Sequence, residues 1–174
     1  MPNTYTLIAS NTVGAGGAAS ITFSSIAATY TDLLIKLSGR GTDAAARVVP
    51  YFRFNGSSSS YSAIRLYGQD SSTTGSAANE GGTTAIYSNR MPAAGATSNT
   101  FGNLEFYIPN YAGSNYKSSS SESATENNSS TSWNLSMVAG LWSNTAAITS
   151  ITITPDAGNF AQYSTAYLYG IKNS

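Results

Sequence analysis

The chain has 174 residues with 8 basic and 8 acidic side chains and neither histidine nor cysteine, so the residue types behind most general-base, thiolate and transition-metal chemistry are missing. An enzyme is not expected, and no catalytic, cofactor-binding or metal-ligating residue stands out. Charged residues make up 9% of the chain and the formal net charge is zero, against ~25% charged in ordinary globular domains, which leaves a neutral surface suited to self-association and unsuited to drawing in nucleic acid.

Length places the whole of 1–174 in one domain. The first residues, Met1-Pro2-Asn3-Thr4, lack a basic stretch followed by an apolar run, and no apolar window approaches the ~20 residues that cross a bilayer. The expectation is a soluble protein made in the cytoplasm, with no membrane partner.

In chain order, short period-two runs rich in β-branched and aromatic residues predict strands over 4–9, 20–26, 32–38, 48–54, 62–67, 84–88, 104–108, 117–124, 133–139, 148–154 and 164–171. Leu33, Ile35 and Leu37 share one face of their strand, Leu104, Phe106 and Ile108 another, and Ile64 and Leu66 are expected inward. The Ala-rich pieces at 44–46 and 93–96 are too short for more than a helical turn. Many antiparallel strands without helical crossovers predict an all-β fold, an antiparallel β-sandwich of jelly-roll-like form.

Between these runs, Gly14, Gly16 and Gly17 read as a hairpin turn, and Pro155 to Asn159 as a turn in preference to a calcium site at Asp156 and Asn159. The segments 69–82 and 91–100 read as long loops, either mobile or ordered against a neighbouring subunit. Residues 118–132 read as a polar edge strand and its turn. Asn55, Asn127, Asn128 and Asn134 match the glycosylation pattern only as a chain rich in Asn and Ser would by chance.

Carboxylates are scattered singly. Glu105 falls on the outward phase of its strand and Glu122 and Glu126 flank a serine-rich one, so solvated or ion-paired roles outweigh a glycosidase pair. Tyrosines offer more. Tyr51, Tyr61, Tyr67, Tyr107, Tyr111 and Tyr116 are expected outward, and Arg53 and Arg65, with Arg40 and Arg47, are placed to line one sheet face beside them. Tyr and Arg are favoured interface anchors, so these positions are read as an interface. A sugar-stacking platform is the alternative.

Several stretches are familiar in combination: Thr29-Tyr30-Thr31-Asp32-Leu33-Leu34-Ile35, Phe54-Asn55-Gly56, Arg65-Leu66-Tyr67-Gly68, the run from Ala139 through Leu141-Trp142-Ser143-Asn144 to Ile151, Gly158-Asn159-Phe160, and Tyr163 to Ile171. In this order, across most of its length, the chain resembles a family of small β-rich virion proteins of tailed bacteriophages. The resemblance implies a structural role on the virion with no catalytic residue: a capsid decoration (cement) protein, or a tail or head fibre module that binds host glycan. It further implies a homo-oligomer such as a trimer, with the major capsid protein or another virion protein as partner. In the same stretches, Trp142 is expected to end a strand as a buried aromatic, Asn144 to open a turn, and Gly170 to mark a place where a side chain would strike a neighbour.

Overall fold

The computed structural model describes residues 4–69, 73–88, 90–128 and 133–172. Among them lie fourteen strands: β1 (Tyr5–Thr12), β2 (Ile21–Phe23), β3 (Asp32–Gly39), β4 (Arg47–Val48), β5 (Pro50–Phe54), β6 (Tyr61–Gln69), β7 (Thr73–Thr83), β8 (Ile86–Tyr87), β9 (Met91–Pro92), β10 (Gly102–Ile108), β11 (Lys117–Thr125), β12 (Asn134–Trp142), β13 (Ile151–Pro155) and β14 (Thr165–Ile171).

Pairing is nested about the β6–β7 tip. β6 pairs with β7, β5 with β8, β4 with β9, β3 with β10, β2 with β13 and β1 with β14, all antiparallel. The chain is thus one long two-stranded ribbon rolled on itself, which is a jelly roll. Rolling sends β1, β14, β3 and β10 into one sheet and β2, β13, β5 and β8 into the other. The hairpin β11–β12 and the tip β6–β7 then widen the first sheet to eight strands, in the order β1-β14-β3-β10-β11-β12-β6-β7.

The core follows from strand alternation. Leu33, Ile35 and Leu37 of β3, Leu104, Phe106 and Ile108 of β10, and Ala166 and Leu168 of β14 face Phe52, Phe54, Ile86, Ile151 and Ile153 of the small sheet, all buried. Phe52 stacks on Phe106 at 4.1 Å between ring centroids, and Trp142 stacks on Tyr61 at 6.0 Å. Each such side chain removed from water contributes about 1.5–3 kcal/mol. Trp142 does end its strand buried, and the Asn144 side chain accepts from the Ala146 amide at 2.8 Å to open the following turn.

Several expectations change. Ile64 and Leu66 face solvent, because Tyr61 and Ala63 take the inward phase of β6; in period-two structure one anchor decides every neighbour's side. Much of the expected loop 69–82 is strand β7, paired to β6. β11 is an interior strand between β10 and β12. Its serines Ser119, Ser121 and Ser123 are buried, because the segment carrying β8 and β9 crosses over them. Gly140 permits that crossing: a Cβ there would lie 2.8 Å from Ile86 Cγ2. Gly14 and Gly17 close a turn through a 3.0 Å amide–carbonyl bond, but the turn joins β1 and β2, which lie in different sheets, so it is no hairpin. The segment 91–100 is held by its own chain: Ala93 is fully buried, its amide bonds to Ala46 at 3.0 Å, and the Arg40 guanidinium donates to the carbonyls of Ala96, Thr97 and Thr100. No neighbouring subunit is needed to order it.

Candidate interaction surfaces

The eight residues expected to form an interface fall in five places. Tyr51 and Arg53 lie on the outer face of the small sheet. There Tyr51 packs on Tyr87 at 4.5 Å between centroids, Arg53 sits 5.9 Å from the Tyr51 ring, and its Nε donates to the Thr84 carbonyl at 3.1 Å. Arg65 and Tyr67 lie half-buried on the inward phase of β6, beyond the cover of the small sheet, with the guanidinium 4.6 Å from the ring centroid. Tyr107 lies on the outer face of the large sheet, and Tyr116 is exposed in the β10–β11 connection.

Tyr61 and Tyr111 are not on the surface at all. Both are buried and spend their hydroxyls on backbone: Tyr61 accepts from the Phe54 amide at 2.8 Å, and Tyr111 donates to the Ala27 carbonyl. A tyrosine whose oxygen reaches a backbone partner is a core residue, which neither composition nor strand phase reveals. Burial pushes the Tyr61 phenol above its usual value. The expectation that Arg40, Arg47, Arg53 and Arg65 line one face also fails, since Arg53 is in the small sheet, Arg65 in the large one, Arg47 in the β4–β9 pair, and Arg40 clamps 96–100.

Sequence reasoning missed the largest surface, the outer face of the eight-stranded sheet. Strand alternation and cross-strand register put Tyr5 and Leu7 of β1, Tyr167 and Tyr169 of β14, Ile64 and Leu66 of β6, and Leu135 and Met137 of β12 on that side. Tyr5, Leu7, Ile64, Leu66, Leu135 and Met137 are each more than half exposed. The signal was present in the aliphatic spacing of β6 and β12. It reads equally well as a core face, because a half-buried strand does not say which half is buried.

Across the middle of this face runs a polar row. Lys36 and Glu105 form an ion pair at 2.8 Å, and Glu122 is the register partner of Glu105 on β11. The hydrogen bond and charge of Glu105 raise the Lys36 ammonium above its ordinary value. So the two carboxylates do meet on a sheet face, with Glu105 ion-paired to Lys36. A crevice of about 550 Å³ opens between Lys36, Asn103, Glu105, Glu122, Tyr167 and Tyr169. A second of about 300 Å³ lies beside Tyr5 and Tyr169.

Farther along β3 and β10 from this row, Asp32 fastens one edge of the face. Its carboxylate accepts from the Tyr107 hydroxyl at 2.8 Å and the Asn110 amide at 2.9 Å. Burial, then the hydrogen bond and charge of Asp32, push the Tyr107 phenol up to about 12.

Among the described residues no three His, Cys, Asp or Glu side chains gather where they would hold a metal ion. Asp156 spends a carboxylate oxygen on the Val49 amide at 2.8 Å, as a turn residue does. Asn127 and Asn134 are buried, which removes them as glycosylation acceptors in the folded protein. No described helix is long and apolar enough to cross a membrane. Comparison of the chain with protein-family models and with curated proteins finds no match.

Proposed function

We propose that the protein is a non-catalytic virion component of a tailed bacteriophage, a head decoration protein that binds the shell and its own copies as a symmetric oligomer. The observation that supports this reading is that residue types favoured at protein contacts gather on opposite sides of the sandwich. The Tyr51–Arg53–Tyr87 cluster is on the small sheet, and the apolar outer face is on the large one. Bridging requires two such sides, and neighbouring exposed aliphatic residues, here Ile64, Leu66, Leu135 and Met137 on β6 and β12, mark protein contact more than display to water. Many modest contacts acting together give tight attachment.

The test is the copy number per purified particle, by quantitative mass spectrometry against the major capsid protein. Hundreds of copies in simple ratio to the capsid subunit are expected. A few to a few dozen would remove the reading.

The crevice beside Tyr5, Tyr167 and Tyr169 favours one rival, a fibre module that stacks host glycan on its aromatic rings. That rival requires neutral hexose oligomers, cellohexaose and mannohexaose among them, to perturb the tyrosine resonances at that end of the sheet. On the decoration reading they leave those resonances unmoved.

A further inference from the structure

We infer that the outer face of the large sheet is the contact between two copies of this chain, related by a two-fold axis that lies along β10. The inference rests on the reading of the protein as a symmetric assembly component, and names the partner and the face. It makes the closed unit a pair instead of the trimer expected from resemblance.

The first ground is where apolar surface is left uncovered. Of the nine large hydrophobic side chains exposed among the described residues, seven lie on this one face: Tyr5, Leu7, Ile64, Leu66, Leu135, Met137 and Tyr167. About an axis along β10 seven of the eight strands overlap, and at about 4.8 Å spacing over roughly 20 Å of strand length they cover about 670 Å². That is close to the ~800 Å² each partner contributes to a standard stable interface.

The second ground is the order of charge across the face. Following register partners from β14 to β12, the central row reads Tyr167, Lys36, Glu105, Glu122, Met137. An apolar group stands at each end, and on the two sides of Glu105 stand opposite charges. Turning a second copy about an axis along β10 keeps the row opposite itself and reverses its order. Lys36 then meets the partner's Glu122, Tyr167 meets the partner's Met137, and the reciprocal contacts form at the same time, while the two copies of Glu105 face each other on the axis, each carboxylate beside the Lys36 of its own chain. This is the self-complementarity of an isologous interface, in which residue i meets j and j meets i. Glu122, which makes no ion pair among the described residues, gains a cation. Tyr5, Leu7 and Tyr167 stand at the β1–β14 end, and Leu135, Met137, Ile64 and Leu66 at the β12–β6 end. The reversed order lays each end on the other. Face-to-face packing of twisted sheets in this manner is the ordinary geometry of a β-sandwich.

Sedimentation equilibrium of the full chain across micromolar concentrations tests the inference. The expected particle contains two 18.0 kDa chains. Met137→Lys, at a side chain already in water, raises the dissociation constant by about tenfold or more. Lys36→Glu and Glu122→Lys each weaken pairing, and the double exchange restores it, since opposite charges again face each other across the axis and an opposite charge stays beside Glu105. Circular dichroism and melting temperature track the fold of each variant.

A monomer at every concentration, a trimer, or a dimer indifferent to Met137→Lys and to the charge exchange overturns the inference. A monomer found in hundreds of copies per particle would do so while leaving decoration intact. A face-paired dimer present in only a few copies would remove decoration and leave the pairing.

Discussion

Gly170 lies beneath the ring of Tyr30, so close that a Cβ on it would sit 2.3 Å from Tyr30 Cγ. The two residues come from opposite ends of the chain. The contact pins the chain entering β3 against β14. Tyr30 is further held by its amide, which donates to the Tyr111 hydroxyl at 3.4 Å.

Gly170→Ala therefore overpacks a site where the intruding methyl meets a ring and not open space. The expected cost is about 1–3 kcal/mol, read as a fall in melting temperature of about 2–4 °C per kcal/mol. Tyr30→Ala in the same chain should cancel part of that loss, and strict additivity of the two substitutions would refute the contact.

Asn55 staples the turn after β5 to the segment before β13. Its side chain accepts from the Thr149 amide at 2.8 Å and the Ser150 amide at 3.1 Å, and donates to the Ala147 carbonyl at 2.8 Å. Its backbone is left-handed, with φ 51°. Asn55→Gly keeps the backbone and loses every side-chain bond, so a loss of about 2–3 kcal/mol is expected in urea unfolding. Asn55→Asp keeps the acceptors and loses only the donor, and should fall between wild type and Asn55→Gly. The reverse order would show that conformation, not hydrogen bonding, sets the effect.

Lys117 is a fully buried cation that makes no ion pair among the described residues. Its ammonium donates to the carbonyls of Gly113 at 2.7 Å, Thr145 at 3.3 Å, and Asn115. Desolvation lowers its affinity for the proton. Lys117→Met retains the aliphatic stem and leaves three carbonyls without their donor, which costs about 1–3 kcal/mol. Amide exchange should speed up at 110–116 and 143–147 together, since one side chain ties both segments. Unchanged exchange at both would mean that the cage contributes nothing.

Tyr107 gives an alkaline signature. An unfolded tyrosine ionises near pH 10, whereas Tyr107 in the fold holds its proton to about 12. Between those values the native state binds a proton that the unfolded state has released, so stability falls as pH rises through that window; below about pH 10 the contribution is complete. Tyr107→Phe should flatten this part of the stability–pH curve and remove one late phase from the 295 nm absorbance titration. An identical curve for wild type and variant would rule out Tyr107 as its source.

How much of this was legible beforehand differs by element. The strands through Leu33, Ile35 and Leu37 and through Leu104, Phe106 and Ile108 were readable because apolar residues recur at every second position in each. Gly170 was readable as a close approach because glycine in a strand has few other reasons to be there. β6 was readable as a strand but not by side: Tyr61 and Ala63 against Ile64 and Leu66 offer two apolar phases, and only packing against Phe54 and Trp142 selects one. β7 was hidden because Ser, Gly, Ala and Asn at 73–83 carry turn propensity, and pairing along the whole of β6 overrides it. Of the eight interface candidates, Tyr61 and Tyr111 failed for the reason that makes tyrosine ambiguous everywhere, an apolar ring joined to one polar atom that a single backbone partner satisfies.

By itself the sequence determined an all-β chain of many short antiparallel strands, poor in charge and without the side chains of common catalysis, because composition and period-two alternation are local properties. Only the tertiary structure decided the nested pairing that makes the ribbon a jelly roll, the widening of one sheet to eight strands, and the face on which seven exposed hydrophobic side chains gather. Those depend on which distant strands meet, and a strand's own residues specify its two faces but not what covers either of them.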